Sequence, residues 1–94
     1  MKKRILVVDD DPNIVDYLST LFEDNGYETI TAKDAQNGLD LAKKNKPDLI
    51  TLDIEMPGEW GPRFYRHMTQ DQSLKNIPVI VISGLSGNAY AIPK

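Results

Sequence analysis

Four apolar residues in succession, Ile5, Leu6, Val7 and Val8, run straight into Asp9, Asp10 and Asp11. A short unbroken apolar run that ends in charge is the pattern of a strand buried on both faces and emerging into solvent. Asp11 offers a side-chain oxygen to the first free amides of a helix, and Pro12 brings the fixed φ of a first helical residue. Ile14, Leu18, Leu21 and Phe22 then fall at i, i+4, i+7 and i+8, one face of that helix, and Gly26 is placed to end it just past the cap. Residues 27–31 alternate aromatic or β-branched with polar side chains and predict a second strand. Ala35, Leu39 and Ala42 space out a second helix ending near Asn45, before Pro47. Residues 48–52 form a third strand that delivers Asp53 at its C-terminal end. Residues 56–62 hold two prolines and two glycines and read as a loop. A short third helix is expected over residues 63–70 and a fourth buried strand over residues 78–82, closing on Ser83 and Gly84. Residues 84–94, rich in Gly, Ser and Asn, read as loop.

Strand and helix alternating in this way build a doubly wound α/β domain, a parallel sheet with helices on both faces joined by right-handed crossovers. Ninety-four residues, 40% of them hydrophobic and 27% charged, suit one domain over residues 1–94 and leave no room for a second. The chain has no cysteine, which excludes disulfide frameworks, thiolate zinc sites and cysteine nucleophiles and is compatible with a reducing cytoplasm. No apolar run reaches the roughly 18–20 residues of a membrane span, and the basic trio Lys2, Lys3, Arg4 precedes four apolar residues and three aspartates, unlike any signal peptide. A cytoplasmic protein with no membrane partner is expected. The net charge of −3 lacks the electrostatic footprint of direct nucleic-acid binding.

In open parallel sheets, ligands bind outside the carboxyl ends of the strands. The first strand ends in Asp9 and Asp10, the third in Asp53 and the fourth in Ser83, so residues distant in sequence are expected to meet there. Three carboxylates in one crevice raise one another's pKa or require a cation. A hard divalent ion such as Mg²⁺ relieves the crowding, and a carboxylate beside it can act as a nucleophile toward phosphorus.

With those residues in view, the chain resembles the receiver domains of two-component response regulators. The matching elements are the run from Ile5 through Pro12; Gly26-Tyr27; the run from Pro47 through Pro57, with Asp53-Ile54-Glu55-Met56-Pro57 at its end and Gly61 beyond; and the run from Ile77 through Gly84. The resemblance implies a flavodoxin-like, CheY-like (βα)₅ fold with strand order 2-1-3-4-5. It implies that Asp53 accepts a phosphoryl group from a sensor histidine kinase or histidine phosphotransfer protein. It further implies Mg²⁺ held by Asp10, Asp53 and the backbone carbonyl of Glu55, with Asp9 acting through a metal-bound water. Ser83 stands where the family has its switch hydroxyl.

Two departures stand out. The family has a Lys, usually followed by Pro, at the end of its fifth strand, whereas Lys94 lies too near Ser83 and follows Pro93. The C-terminal βα unit is therefore expected to be missing or incomplete, exposing the edge of the fourth strand and inviting a homo-oligomer across it. Among the remaining residues, Asp11 is assigned to the helix cap, His67 to a solvent-facing helix surface and Met56 to loop packing, while Trp60 either packs its loop or marks a partner surface. Two other function classes are weighed: a receiver-fold interaction module unable to take phosphate, and a phosphatase or phosphotransferase with an aspartate nucleophile. Glu55 weighs against the enzyme, whose chemistry wants a second Asp two residues after the first.

Overall fold

The computed structural model describes residues 2–53, 61–82 and 89–91. The first strand, β1 (Arg4–Val8), lies between two parallel neighbours, β2 (Glu28–Ala32) and β3 (Leu49–Asp53). That position explains the unbroken apolar run from Ile5 to Val8 after Arg4, because both faces of a central parallel strand are covered. Strand β3 pairs in parallel with β4 (Val79–Ile82), giving the order β2-β1-β3-β4. Three helices connect them: α1 (Pro12–Asp24), α2 (Ala35–Asn45) and α3 (Gly61–Gln70). This is the expected doubly wound, CheY-like arrangement, and no parallel fifth strand followed by a helix is present among the described residues.

Where a loop was expected over residues 84–94, a short strand β5 (Ala89–Ala91) instead runs antiparallel against β4, with Ile80, Val81 and Ile82 facing Ala91, Tyr90 and Ala89. The expected open edge of the fourth strand is therefore occupied over these three residues. Element ends also shift. Gly61 and Pro62 belong to α3 rather than to the preceding loop. Asp48 precedes β3, where its Oδ2 accepts the Arg4 N–H at 2.8 Å and its own N–H donates to the Arg4 carbonyl, also at 2.8 Å.

The principal core lies on one face of the sheet. Leu6, Val8, Ile50, Leu52 and Val79 pack there against Leu39 and Ala42 of α2 and Phe64 and Met68 of α3. Gly38 lets α2 approach closely: a Cβ at that position would sit 3.0 Å from Val8 Cγ2 and 3.1 Å from Phe64 Cε2.

Helix α1 covers the opposite face. Asp11 caps it in extended conformation, its Oδ1 accepting the Asn13 N–H at 2.9 Å, and Pro12 follows at the first helical position. Gly26, at φ 91°, supplies the left-handed residue that ends it. Its N–H donates to the Glu23 carbonyl and that of Tyr27 to the Phe22 carbonyl, each at 3.1 Å. These bonds are the two signature links of a Schellman motif, and the apolar contact that accompanies it is the edge-on packing of Phe22 and Tyr27, centroids 6.4 Å apart. The motif removes Tyr27 from the second strand, where the alternation had placed it. No residue of α1 is fully buried, and Leu21, expected on its inner face, is 43% exposed. No helix among the described residues is long and apolar enough to cross a membrane.

Candidate functional site

Parallel pairing aligns the C-terminal ends of β1 and β3, with Val8 opposite Leu52. Asp9 is the first residue beyond β1, and Asp53 is the last of β3. Each of Asp9, Asp10 and Asp53 can offer a carboxylate oxygen lying within 4.8 Å of the other two. The convergence expected from topology is thus present. Asp9 and Asp53 are buried, at 5% and 7% exposure, while Asp10 is exposed.

Backbone contacts hold Asp9 in place: its N–H donates to the Ala32 carbonyl at 3.0 Å, and its Oδ1 accepts the Asp11 N–H at 2.9 Å. Removal from water pushes the Asp9 carboxyl up from 3.8 to about 6. The negative charges of Asp53 and Asp10 and a hydrogen bond with Asp53 push in the same direction, against the opposing pull of the Asp11 N–H. Three clustered oxygen donors, one of them held in its anionic form only at a cost, are a donor set that fits a hard divalent cation. Asp11 takes no part in the cluster, since its side chain is engaged in capping α1.

Lys33 was not anticipated. It directly follows β2, whose register sets Ala32 opposite Val8, and with Asp9, Asp10 and Asp16 it lines a cavity of about 220 Å³ beside the cluster. The signal was available in the sequence: Lys33 stands after the second strand as Asp9 stands after the first, and neighbouring parallel strands end side by side. His67 is exposed on α3 and lines a different cavity, between α2 and α3, away from the acidic cluster. Glu55, Met56, Trp60, Ser83 and Lys94 lie outside the described residues.

Comparison with known proteins gives a consistent answer. The sequence model of the response regulator receiver domain matches residues 5–93. Protein Rrf1 of Nitratidesulfovibrio vulgaris is 36% identical over 93 residues, covering 99% of this chain and 67% of that protein. Among solved structures, the N-terminal domain of a response regulator receiver protein from Methanoculleus marisnigri JR1 superposes with a TM-score of 0.80 at 38% identity, over 84% of this chain and 64% of that one. The chemotaxis response regulator CheY4 of Vibrio cholerae superposes with a TM-score of 0.83 at 30% identity, over 87% of this chain and 68% of its own. This chain spans about two thirds of the length of each of these relatives.

Proposed function

Because this chain belongs to the response regulator receiver domain family of two-component signalling, we propose that Asp53 is its phosphoacceptor and that the acidic cluster is an Mg²⁺ site. The observation that carries the proposal is the meeting of Asp9, Asp10 and Asp53 within 4.8 Å at the carboxyl ends of two adjacent parallel strands. Asp10, Asp53 and the backbone carbonyl of Glu55 would hold the ion directly, and Asp9 through a water. Bound there, Mg²⁺ would offset negative charge on the phosphoryl oxygens.

The donor is a phosphohistidine on a sensor histidine kinase or a histidine phosphotransfer protein in the cytoplasm. A carboxylate oxygen of Asp53 bonds to phosphorus as the P–N bond to the donor imidazole breaks, and the imidazole leaves with a proton from solvent. Burial of Asp53 at the strand end restricts the directions from which a donor can reach its carboxylate. The aspartyl phosphate adds about −1.5 to −2 charge and new acceptor oxygens. The Ser83 hydroxyl, next in sequence after β4, is the group that responds to them and passes the change to a partner surface.

The test is incubation of the chain with Mg²⁺ and a small phosphodonor such as phosphoramidate, followed by mass spectrometry. One acid-stable, base-labile phosphoryl group is expected, absent without Mg²⁺ and absent in Asp53→Asn. Folded protein that takes no label would refute the proposal and leave a receiver-fold interaction module.

A further inference from the structure

Asparagine followed by glycine occurs twice in the chain, as Asn25-Gly26 and Asn37-Gly38. Asparagine is one of the chemically labile residues, and a following glycine hastens its decay because no side chain hinders attack by the next backbone nitrogen. As dipeptides the two pairs are equivalent. Their places in the fold are not.

In the reaction the Gly nitrogen gives its proton to water and bonds to the Asn Cγ. The Cγ–Nδ2 bond breaks, ammonia leaves and a succinimide ring remains. Water then opens the ring at either carbonyl, leaving aspartate or isoaspartate. Ring closure takes the Gly nitrogen out of its hydrogen bond and rotates the Asn ψ, so each site reacts only as often as its own backbone opens.

At Asn25 that opening is small. The residue caps α1 at φ −102° and ψ 14°, and residues 23–28 are all exposed. The bonds given up are those from the Gly26 N–H to the Glu23 carbonyl at 3.1 Å and from Asn25 Nδ2 to the Leu21 carbonyl at 2.7 Å. At Asn37 the same rotation unwinds the first turn of α2. There the Asp34 carbonyl accepts the Gly38 N–H at 2.9 Å, and Asp34 Oδ1 accepts the Asn37 N–H at 2.7 Å. The rotation also pulls Gly38 and Leu39, both buried, away from the closest approach of α2 to Val8 and Phe64. Because Val8, Leu39 and Phe64 belong to the principal core, opening there approaches unfolding of the whole domain.

We propose that Asn25 converts spontaneously to aspartate and isoaspartate in the folded protein, that the packing of α2 protects Asn37, and that the conversion loosens the end of α1. The product loses the N–H donor to the Leu21 carbonyl and gains a carboxylate beside Glu23 and Asp24, at the helix end where the dipole disfavours negative charge. Isoaspartate also lengthens the main chain by a methylene just before Gly26, moving that left-handed residue out of the register of the Schellman motif. None of this draws on the phosphoacceptor assignment.

The test is incubation of the folded chain, and of the same chain in about 6 M urea, for several weeks at about pH 8, with peptide mapping by mass spectrometry. In urea the two asparagines should convert at rates within about threefold of each other. In the folded protein Asn25 should convert about tenfold faster than Asn37 or more. Asn25→Gln, whose longer side chain closes a ring far more slowly, should abolish acid formation in that peptide and leave Asn37 as it was. Asn25→Asp, made directly, should lower the folded-to-unfolded ratio in urea titrations about fivefold. Equal conversion of both sites in the folded protein, conversion at Asn37 ahead of Asn25, an Asn25 that stays intact while the urea sample reacts, or an Asn25→Asp variant as stable as its parent would overturn the proposal.

Discussion

Asp9→Asn should make the protein more stable, although it removes a residue from the candidate metal site. In the absence of divalent ions, Asp9 is a 5% exposed carboxyl whose pKa is raised from 3.8 to about 6, chiefly by burial and further by Asp53 and Asp10. Between those two values the folded state binds more protons than the unfolded chain, so stability falls as pH rises through the window and stays lowered above it. At about 1.4 kcal/mol per unit the shift corresponds to roughly 3 kcal/mol at neutral pH, and solvent relaxation around the neighbouring exposed Asp10 brings the working figure nearer 1–2 kcal/mol. Asparagine keeps a side-chain oxygen for the Asp11 N–H, so the 2.9 Å turn contact survives while the charge goes. Urea titrations in EDTA from about pH 3.5 to 8 provide the measurement. The variant should exceed the parent by about 1–2 kcal/mol at pH 7.5, with the margin closing below about pH 4, where the parent carboxyl is protonated in both states. Mg²⁺ should narrow the margin by binding the folded parent. A variant no more stable than the parent at pH 7.5, or a margin independent of pH, would refute the electrostatic account of the cluster.

Two further substitutions test the packing around the site. Gly38→Ala gains about 1 kcal/mol of helix propensity, yet its new methyl would meet Val8 Cγ2 at 3.0 Å and Phe64 Cε2 at 3.1 Å. Overpacking costs typically 1–3 kcal/mol, so thermal unfolding should show a net loss of about 1 kcal/mol, and a gain would mean that α2 can lift from the sheet freely. Thr51 Oγ1 is buried without a hydrogen-bond partner two residues before Asp53. Thr51→Val should therefore stabilise by about 1 kcal/mol in the same assay, whereas a clear loss would show that the hydroxyl holds an internal water.

Local features of the fold were readable because local chemistry decides them. Asp11, Pro12 and Gly26 act within a few residues of their own positions, and both ends of α1 behave as their types require. The acidic cluster was readable for a different reason: parallel topology is nearly deterministic about where strand ends go, so three aspartates at two strand ends have one place to meet. What escaped the reading depended on partners distant in sequence. Ala89, Tyr90 and Ala91 carry no strand pattern of their own and are extended because the edge of β4 offers them hydrogen bonds. Tyr27 has a strand former's side chain, but the Schellman motif and the Phe22 ring claim it first. Leu21 fits the apolar period of α1, yet at 43% exposure it is not covered by the described residues.

The two faces of the sheet therefore play unequal parts. Leu6, Val8, Ile50, Leu52 and Val79 point toward α2 and α3 and belong to the principal core, whereas the alternate positions of β3, Leu49, Thr51 and Asp53, point toward the side of α1. That side holds the unpartnered Thr51 hydroxyl and a helix with no fully buried residue. The charge cost of the acidic cluster thus falls on the face opposite the principal core, with the sheet between the two.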